Sequence, residues 1–446
     1  MKKTLLFLFG LNIVIFYQLN AQAITGTDSM SVPRLNHQSQ KLNNGSVLTF
    51  GGENGNSQDP NNTYSSAEIY NNGVWTLTGS MNIQRTQFAS SLLPNGKVLA
   101  IGGVASDVTE VWASCEIYDP ATGLWTYTDS LANASADNYA ILMNNGKVLM
   151  ADGDSSWVYD PSTGRWGSGV AMAAGHGANP VMVSLANGKV LAVGGMDCAV
   201  CADVYNPNTN TWALTADSTQ YSHIQPAMVL LNNGKALVIG SSTIDSGQTA
   251  SELYDTVTNS FTNSGTLLSN ISSCPAVLLD NGDPLVWGIG NLFGGADSTE
   301  IVQIYNVAIG TWFTIPSTGF GTSNNTLVKL SNNVVLVVGG YVLANGAVKY
   351  CWLINGDDLT GIKQISQPES FAISPNPGTS YFSFSVAQPE NVKVLRIYDV
   401  EGRMQQEVSQ DWASPVYANA LASGTYIVVL YGKDDMPVGV QKWVKL

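Results

Sequence analysis

The chain has 446 residues, with 33 acids against 19 bases, a formal charge of −14 and only 12% charged residues. That length allows a large core, and abundant Gly, Asn, Ser and Thr point to a β-rich, loop-rich protein. The acidic balance, without a Lys/Arg cluster, argues against nucleic acid and against an anionic membrane surface as partners.

Residues 1–23 read as a secretory signal. Lys2 and Lys3 form its basic start, residues 5–17 its mostly apolar stretch, and Ala21-Gln22-Ala23 the small-residue cleavage pattern. No second apolar run of spanning length follows, so no transmembrane segment is expected after signal removal. Five cysteines remain, an odd number for an exported chain. Cys198-Ala-Val-Cys201 is the one close pair; without a second such pair or a nearby His it is poor evidence for zinc, and a local disulfide is expected. Cys115 and Cys351 sit in apolar strand patterns and read as core thiols.

From residue 44 onward one phrase recurs: Asn44-Gly45-Ser46-Val47-Leu48, then Asn95-Gly96-Lys97-Val98-Leu99 and five further copies. The last two are eroded, at Asn281-Gly282-Asp283-Pro284-Leu285 and Asn332-Asn333-Val334-Val335-Leu336, and the interval is 42 to 51 residues. Each copy has the same grammar. A short apolar strand meets an Asn-Gly turn, whose positive φ suits a tight hairpin. A second, nearly continuous apolar strand ends in Gly-Gly, as at Gly102-Gly103. A third strand carries Tyr, and a fourth carries Trp after a turn such as Asp119-Pro-Ala-Thr-Gly123. Tyr/Trp recurs at Tyr70/Trp75, Tyr159/Trp166, Tyr205/Trp212 and Tyr305/Trp312, with Tyr254/Phe261 as a variant. Four short strands per unit at this period is the pattern of a propeller blade.

The double glycine after a G-K-V-L strand, followed by spaced Tyr and Trp, resembles the kelch repeat. The spelling looks most like the galactose-oxidase-type kelch propellers. The expectation is an all-β protein with a seven-bladed kelch propeller over residues 24–366. Blades three, five and six depart from the double glycine, with Asp152-Gly153, Gly240-Ser241 and Gly288-Ile289. Blade seven lacks the aromatic pair. Its outer strand is either residues 361–365 or a segment near residues 25–31 that closes the ring from the N-terminus.

Residues 367–370 read as a linker. Residues 371–446 alternate as a small β-sandwich. They resemble the type-A sorting domain of type IX secretion, through Pro375-Asn376-Pro377, the turn after Ile397-Tyr398-Asp399, the Ser423-Gly-Thr-Tyr-Ile-Val428 strand and the basic-apolar end. The resemblance implies export to the cell surface or beyond, with the type IX translocon as partner.

Within a blade, the Asn-Gly turns and the Asp-Pro-x-Thr-Gly turns fall on one face. The longer, variable loops fall on the other, where binding is expected. Polar residues at the start of each innermost strand ring the channel mouth by register: Arg34, His37, Arg85, Asp137, His176, His223 and Ser273. They either orient a polar ligand or bond blade to blade, as such positions in kelch repeats commonly do. Tyr64, Trp112 and Phe293 either stack on a sugar or pack their loops down. Asp137 and Asp154 are candidate glycosidase carboxylates. The loop Asp59-Pro60-Asn61-Asn62 is either a calcium loop or a polar turn. In the oxidase family, copper is held by two tyrosines and two histidines, with a cysteine linked to one tyrosine. This chain has three histidines, no Tyr-His pair, and none in the tail. No cofactor or metal is therefore expected. The expected function is extracellular binding of a glycan or protein through the long-loop face; the alternative is a carbohydrate-active enzyme with its site at the channel mouth.

Overall fold

The computed structural model describes residues 4–9, 13–18, 24–56, 59, 61–105, 110–240, 250–267, 274–289, 300–315, 321–331, 333–342, 346–359, 372–385, 392–399, 404–409, 414–432 and 437–446. Two compact units are present, Gln22–Gly356 and Met1–Ala21 with Asp357–Leu446.

The first unit is built of antiparallel sheets. Among the described residues, seven follow one another, each starting with the short strand ahead of an Asn-Gly or equivalent turn. Those first strands touch in sequence: Gln38–Lys41, Ala89–Leu92, Tyr139–Leu142, Val181–Ser184, Ala227–Leu230, Ala276–Leu278 and Thr326–Lys329, which returns to Gln38–Lys41. The result is a ring of blades with their first strands innermost.

The last blade resolves the alternative left open by the sequence. Its outer strand is Ile24–Gly26, paired with Cys351–Asn355. Thr27 N–H donates to the Cys351 carbonyl and Met30 N–H to that of Lys349. Met30 is then buried with Val47, Tyr70, Leu336 and Val338, so the first and last blades share one core. Residues 361–365 lie outside the described residues.

The repeated residues explain themselves by contact. Tyr and Trp of the outer hairpin are cross-strand partners in five blades, and Tyr254 and Phe261 in a sixth, with ring centroids 5.1 to 5.2 Å apart. Trp212 Nε1–H donates to Ser156 Oγ and Trp312 Nε1–H to Ser251 Oγ, each in the preceding blade. The second strands are wholly buried because blades pack on both their faces. On the trimmed face, Lys97, Lys147 and Lys235 from the Asn-Gly-Lys turns pair with Asp119, Asp160 and Asp255 of the outer turns at 2.8 to 3.1 Å. Asp119 is therefore an outer-hairpin turn residue.

Cys198 and Cys201 form a disulfide. Cys115, Cys274 and Cys351 are buried free thiols. Burial pushes the Cys351 thiol up to about 12, so it stays protonated.

The second unit contains a sandwich of a three-stranded sheet (Ala372–Ser374, Tyr381–Ser385, Val416–Tyr417) and a four-stranded sheet (Met404–Val408, Val392–Asp399, Gly424–Gly432, Pro437–Lys445). Phe382, Leu395, Val428, Leu430 and Trp443 fill it. Trp443 Nε1–H donates to the Pro375 carbonyl, and Val444 N–H to Asn376 Oδ1, both at 3.0 Å. The Pro-Asn-Pro motif and the chain end are thus one local structure. Residues 400–403 of the predicted turn lie outside the described residues. Thr4–Phe9 and Ile13–Gln18 pair as a hairpin. Among the described residues, no helix is long and apolar enough to cross a membrane.

Candidate functional site

At the open face, where the innermost strands begin, lies a cavity of about 850 Å³. It is organised by one backbone position per blade. Asn36, Gln87, Asp137, Asn179, Gln225 and Asn324 all line it, and all hold φ between 50° and 60°. Asn36 N–H donates to the Asn324 carbonyl, Asp137 N–H to Gln87 and Asn179 N–H to Asp137, at 2.9 to 3.3 Å. These three residues bond sideways to a neighbouring blade and then turn into the innermost strand. The left-handed conformation does both, and Asn and Asp tolerate it best among residues with a Cβ. The aligned residue of blade six, Ser273, lies outside the described residues; Cys274, the next residue, lines the cavity.

Asp137 is thus where the sequence expected it, at the channel mouth. Its carboxyl is pushed up by burial and by nearby Asp152. Tyr139 leaves 37% of its surface open to the channel, yet protein surrounds it, and this burial pushes its phenol up. Glu53, which the sequence reading did not single out, also lines the cavity. Its Oε1 accepts from Asn36 Nδ2 and Thr86 Oγ1, both at 3.0 Å.

Four other expected mouth residues are not at the mouth. Arg34, Arg85, His176 and His223 are at most 1% exposed and do not line the cavity. Arg85 Nη1 donates to the Gly102 and Ser114 carbonyls, while its Nη2 reaches Glu116 at 3.0 Å. Arg34 repeats this with Gly51, Ser66 and Glu68. Burial pulls the Arg34 guanidinium down, and Glu68 opposes that pull. His176 Nδ1 and His223 Nδ1 meet the carbonyls of Gly194 and Gly240, with Nε2 turned to Asp203 and Glu252. Their common task is to tie the carbonyl after the second strand to an acid on the third. The acid also fixes the incoming inter-blade connection: Glu116 accepts from the N–H groups of Asn82 and Ile83, and Glu252 from those of Gln220 and Tyr221.

The ligand role expected for these four is corrected to blade-internal scaffold, because a side chain without surface cannot meet a ligand. The partner acids had a signal in the sequence. Glu68, Glu116, Asp203 and Glu252 each stand two residues before the blade's Tyr, and only in the blades that carry Arg or His; the others have Trp157, Gln303 and, in the blade without that Tyr, Trp352.

The remaining candidates resolve locally. His37 is buried with Nε2 3.2 Å from Thr326 Oγ1. Trp112 Nε1–H donates to the Gln84 carbonyl at 3.1 Å, so it packs its loop down. Tyr64 lies under the Arg34 guanidinium. Asp59 accepts from Asn54 Nδ2 and Asn61 N–H, which makes that loop a polar turn. Asp154 lies on an exposed turn and is not among the cavity-lining residues. Ser273 and Phe293 lie outside the described residues.

No family model matches the chain. Two F-box/kelch-repeat proteins of Arabidopsis thaliana are similar to it. One is 30% identical over 96 residues, 21% of this chain and 25% of the relative. The other is 32% identical over 126 residues, 25% of this chain and 33% of the relative. The match thus spans a third or less of those relatives. Among solved structures, a fungal alcohol oxidase of the AA5 family, in complex with copper, aligns with a TM-score of 0.60 at 13% identity, covering 95% of this chain and 99% of that one. The structure of YjhT aligns with a TM-score of 0.46 at 14% identity, over 73% and 95%. The first of these likenesses is one of fold.

The residues here do not fit a copper centre of the kind the resemblance implies. His176 and His223 belong to different blades, and each gives its Nδ1 to a backbone carbonyl. Among the described residues, no three of His, Cys, Asp and Glu converge. The repeat spelling, the closed ring of sheets, the kelch-repeat relatives and the likeness to the AA5 oxidase structure together give the chain a kelch-type, galactose-oxidase-like β-propeller fold.

Proposed function

We propose that this is a secreted or cell-surface binding protein that holds a polar glycan or protein ligand at the channel mouth of its open face. The observation that carries the reading is the ring of carboxamide and carboxyl side chains around the cavity. Left-handed backbone favours Gly, Asn and Asp, which accounts for four of the six residues. It does not account for Gln87 and Gln225, whose conformation costs of order 1 kcal/mol each. Long carboxamides kept in a strained position at a cavity wall supply donors and acceptors without charge, which suits hydroxyl- and amide-bearing ligands. Export rests on the signal-like first 23 residues and on the sorting-domain resemblance of residues 371–446.

A glycan and peptide array probed with the full mature chain tests the reading. Gln87→Ala and Gln225→Ala are expected to weaken each binding event at least about tenfold, a loss of about 1.4 kcal/mol, with no loss of folding stability. Undiminished binding by both variants places the ligand elsewhere.

A further inference from the structure

In blades one, two and seven, the open-face loop between second and third strands is closed by a backbone hydrogen bond. The N–H groups of Tyr64, Trp112 and Val348 donate to the Gly52, Gly103 and Gly340 carbonyls at 2.8 to 2.9 Å. The carbonyls of the same three residues then accept from Arg85, Ser135 and Arg34 N–H, in the connection entering the next blade. In blade four Ala199 takes this place. Its carbonyl accepts from His223 N–H at 2.7 Å, and that of Val200 accepts from Thr219 N–H at 3.1 Å. Among the described residues, Ala199 N–H makes no bond to Gly195. The Cys198–Cys201 disulfide closes this loop instead, with Ala199 and Val200 inside its ring. The loop also grips its own blade, through Met196 N–H on the Ala178 carbonyl and Asp197 N–H on that of His176. Asn179 follows one grip and Gln225 the other, and both line the cavity. One covalent clasp thus serves two residues of the cavity wall.

We propose that Cys198–Cys201 is a thiol-exchange site for a dithiol reductant, and that its reduction unlatches the channel mouth. Cys198 and Cys201 are half-buried, whereas Cys115, Cys274 and Cys351 are buried, so a dithiol from solution meets this pair and not the others. A thiolate of the dithiol attacks one sulfur, forming a mixed disulfide and displacing the other cysteine as a thiolate. The second thiol of the dithiol then displaces the first cysteine. Two electrons and two protons pass to the protein, which is left with two thiols, and the dithiol departs as a disulfide. Without the cross-link, one long backbone bond spans the loop, Cys201 N–H to the Cys198 carbonyl at 3.3 Å. The loop regains chain entropy, its hold on Thr219 and His223 loosens, and Gln225 loses its fixed place. The opening of the loop stands on these hydrogen bonds; its effect on a ligand rests on the binding reading above.

The test uses the full mature chain, dithiothreitol as the dithiol and no denaturant. Alkylation and mass spectrometry are expected to find Cys198 and Cys201 labelled and Cys115, Cys274 and Cys351 unlabelled. Hydrogen exchange over residues 219–223 should then rise at least about tenfold. Leu131 and Ser135, which make the same bonds to the loop of blade two, should not change. Reoxidation with oxidised glutathione should restore protection. Cys198→Ser together with Cys201→Ser should exchange like the reduced chain and ignore dithiothreitol; if that variant fails to fold, the reversible change in the parent decides. A pair that resists dithiothreitol until the whole chain unfolds overturns the proposal, as does unchanged exchange over 219–223 in the reduced chain. Any array ligand that Gln225→Ala weakens should also bind at least about tenfold less tightly after reduction, and undiminished binding overturns the link to the mouth. If no array ligand binds at all, the binding reading falls, and hydrogen exchange still decides the latch.

Discussion

At the scale of single residues, the chain's rarest side chains are committed to the scaffold. Arg85 sits among four acceptors with no surface of its own. Removing one partner of such a pair leaves a buried charge, so Arg85→Ala should cost about 3–5 kcal/mol in urea unfolding, with ligand affinity of the folded fraction unchanged. His37 gives a pH signature. Burial, with Arg34 adding to it, holds its imidazole down at about 3, against 6.5 ordinarily. The unfolded chain therefore binds a proton that the fold excludes between these values. The stability this histidine contributes is full above pH 6.5 and is lost as pH falls towards about 3, by up to about 1.4 kcal/mol per pH unit. Unfolding measured across that range should fall less steeply with acid in His37→Asn than in the parent.

At the scale of elements, the double glycine and the closing strand decide whether blades meet. A Cβ on Gly194 would lie 2.0 Å from the His223 carbonyl, and one on Gly195 2.2 Å from that of His176. The glycines are where the backbone of one blade passes under the start of an innermost strand. The closing strand is less buried and acts through its ladder with Cys351–Asn355. Starting the mature chain at Thr27 removes it. At roughly 0.5–1.5 kcal/mol per hydrogen bond, that loss should come to about 1–3 kcal/mol. Limited proteolysis should then cut first in the last blade. Unchanged stability and cleavage would show that the ring holds without its N-terminal strand.

At the scale of the whole molecule, the chain has two compact units, and the proposed export role falls to the second. The sandwich has its own core around Phe382, Leu395 and Trp443, separate from the blade cores. Deleting residues 371–446 should therefore leave the propeller fold standing while export stops inside the outer membrane. Fractionation of cells carrying the truncated chain checks this, and normal export of the truncation refutes the sorting role.

The sequence by itself determined the blades. Asn-Gly turns, a period-two strand grammar and recurring Tyr/Trp are local signals, and seven copies in register leave little freedom in how they pair. It also determined which face is trimmed, because turn chemistry is written in adjacent residues. The tertiary structure alone decided which polar residues see solvent. Arg85 and Asp137 hold similar places at the start of an innermost strand, yet one turns back to an acid on the third strand and the other lines the cavity. That choice depends on a partner some 31 residues away, Glu116 for Arg85, and on a left-handed φ that no short motif spells out for a glutamine. Ring closure was decided the same way: Ile24–Gly26 and Cys351–Asn355 pair across nearly the whole propeller, through backbone groups that any sequence possesses.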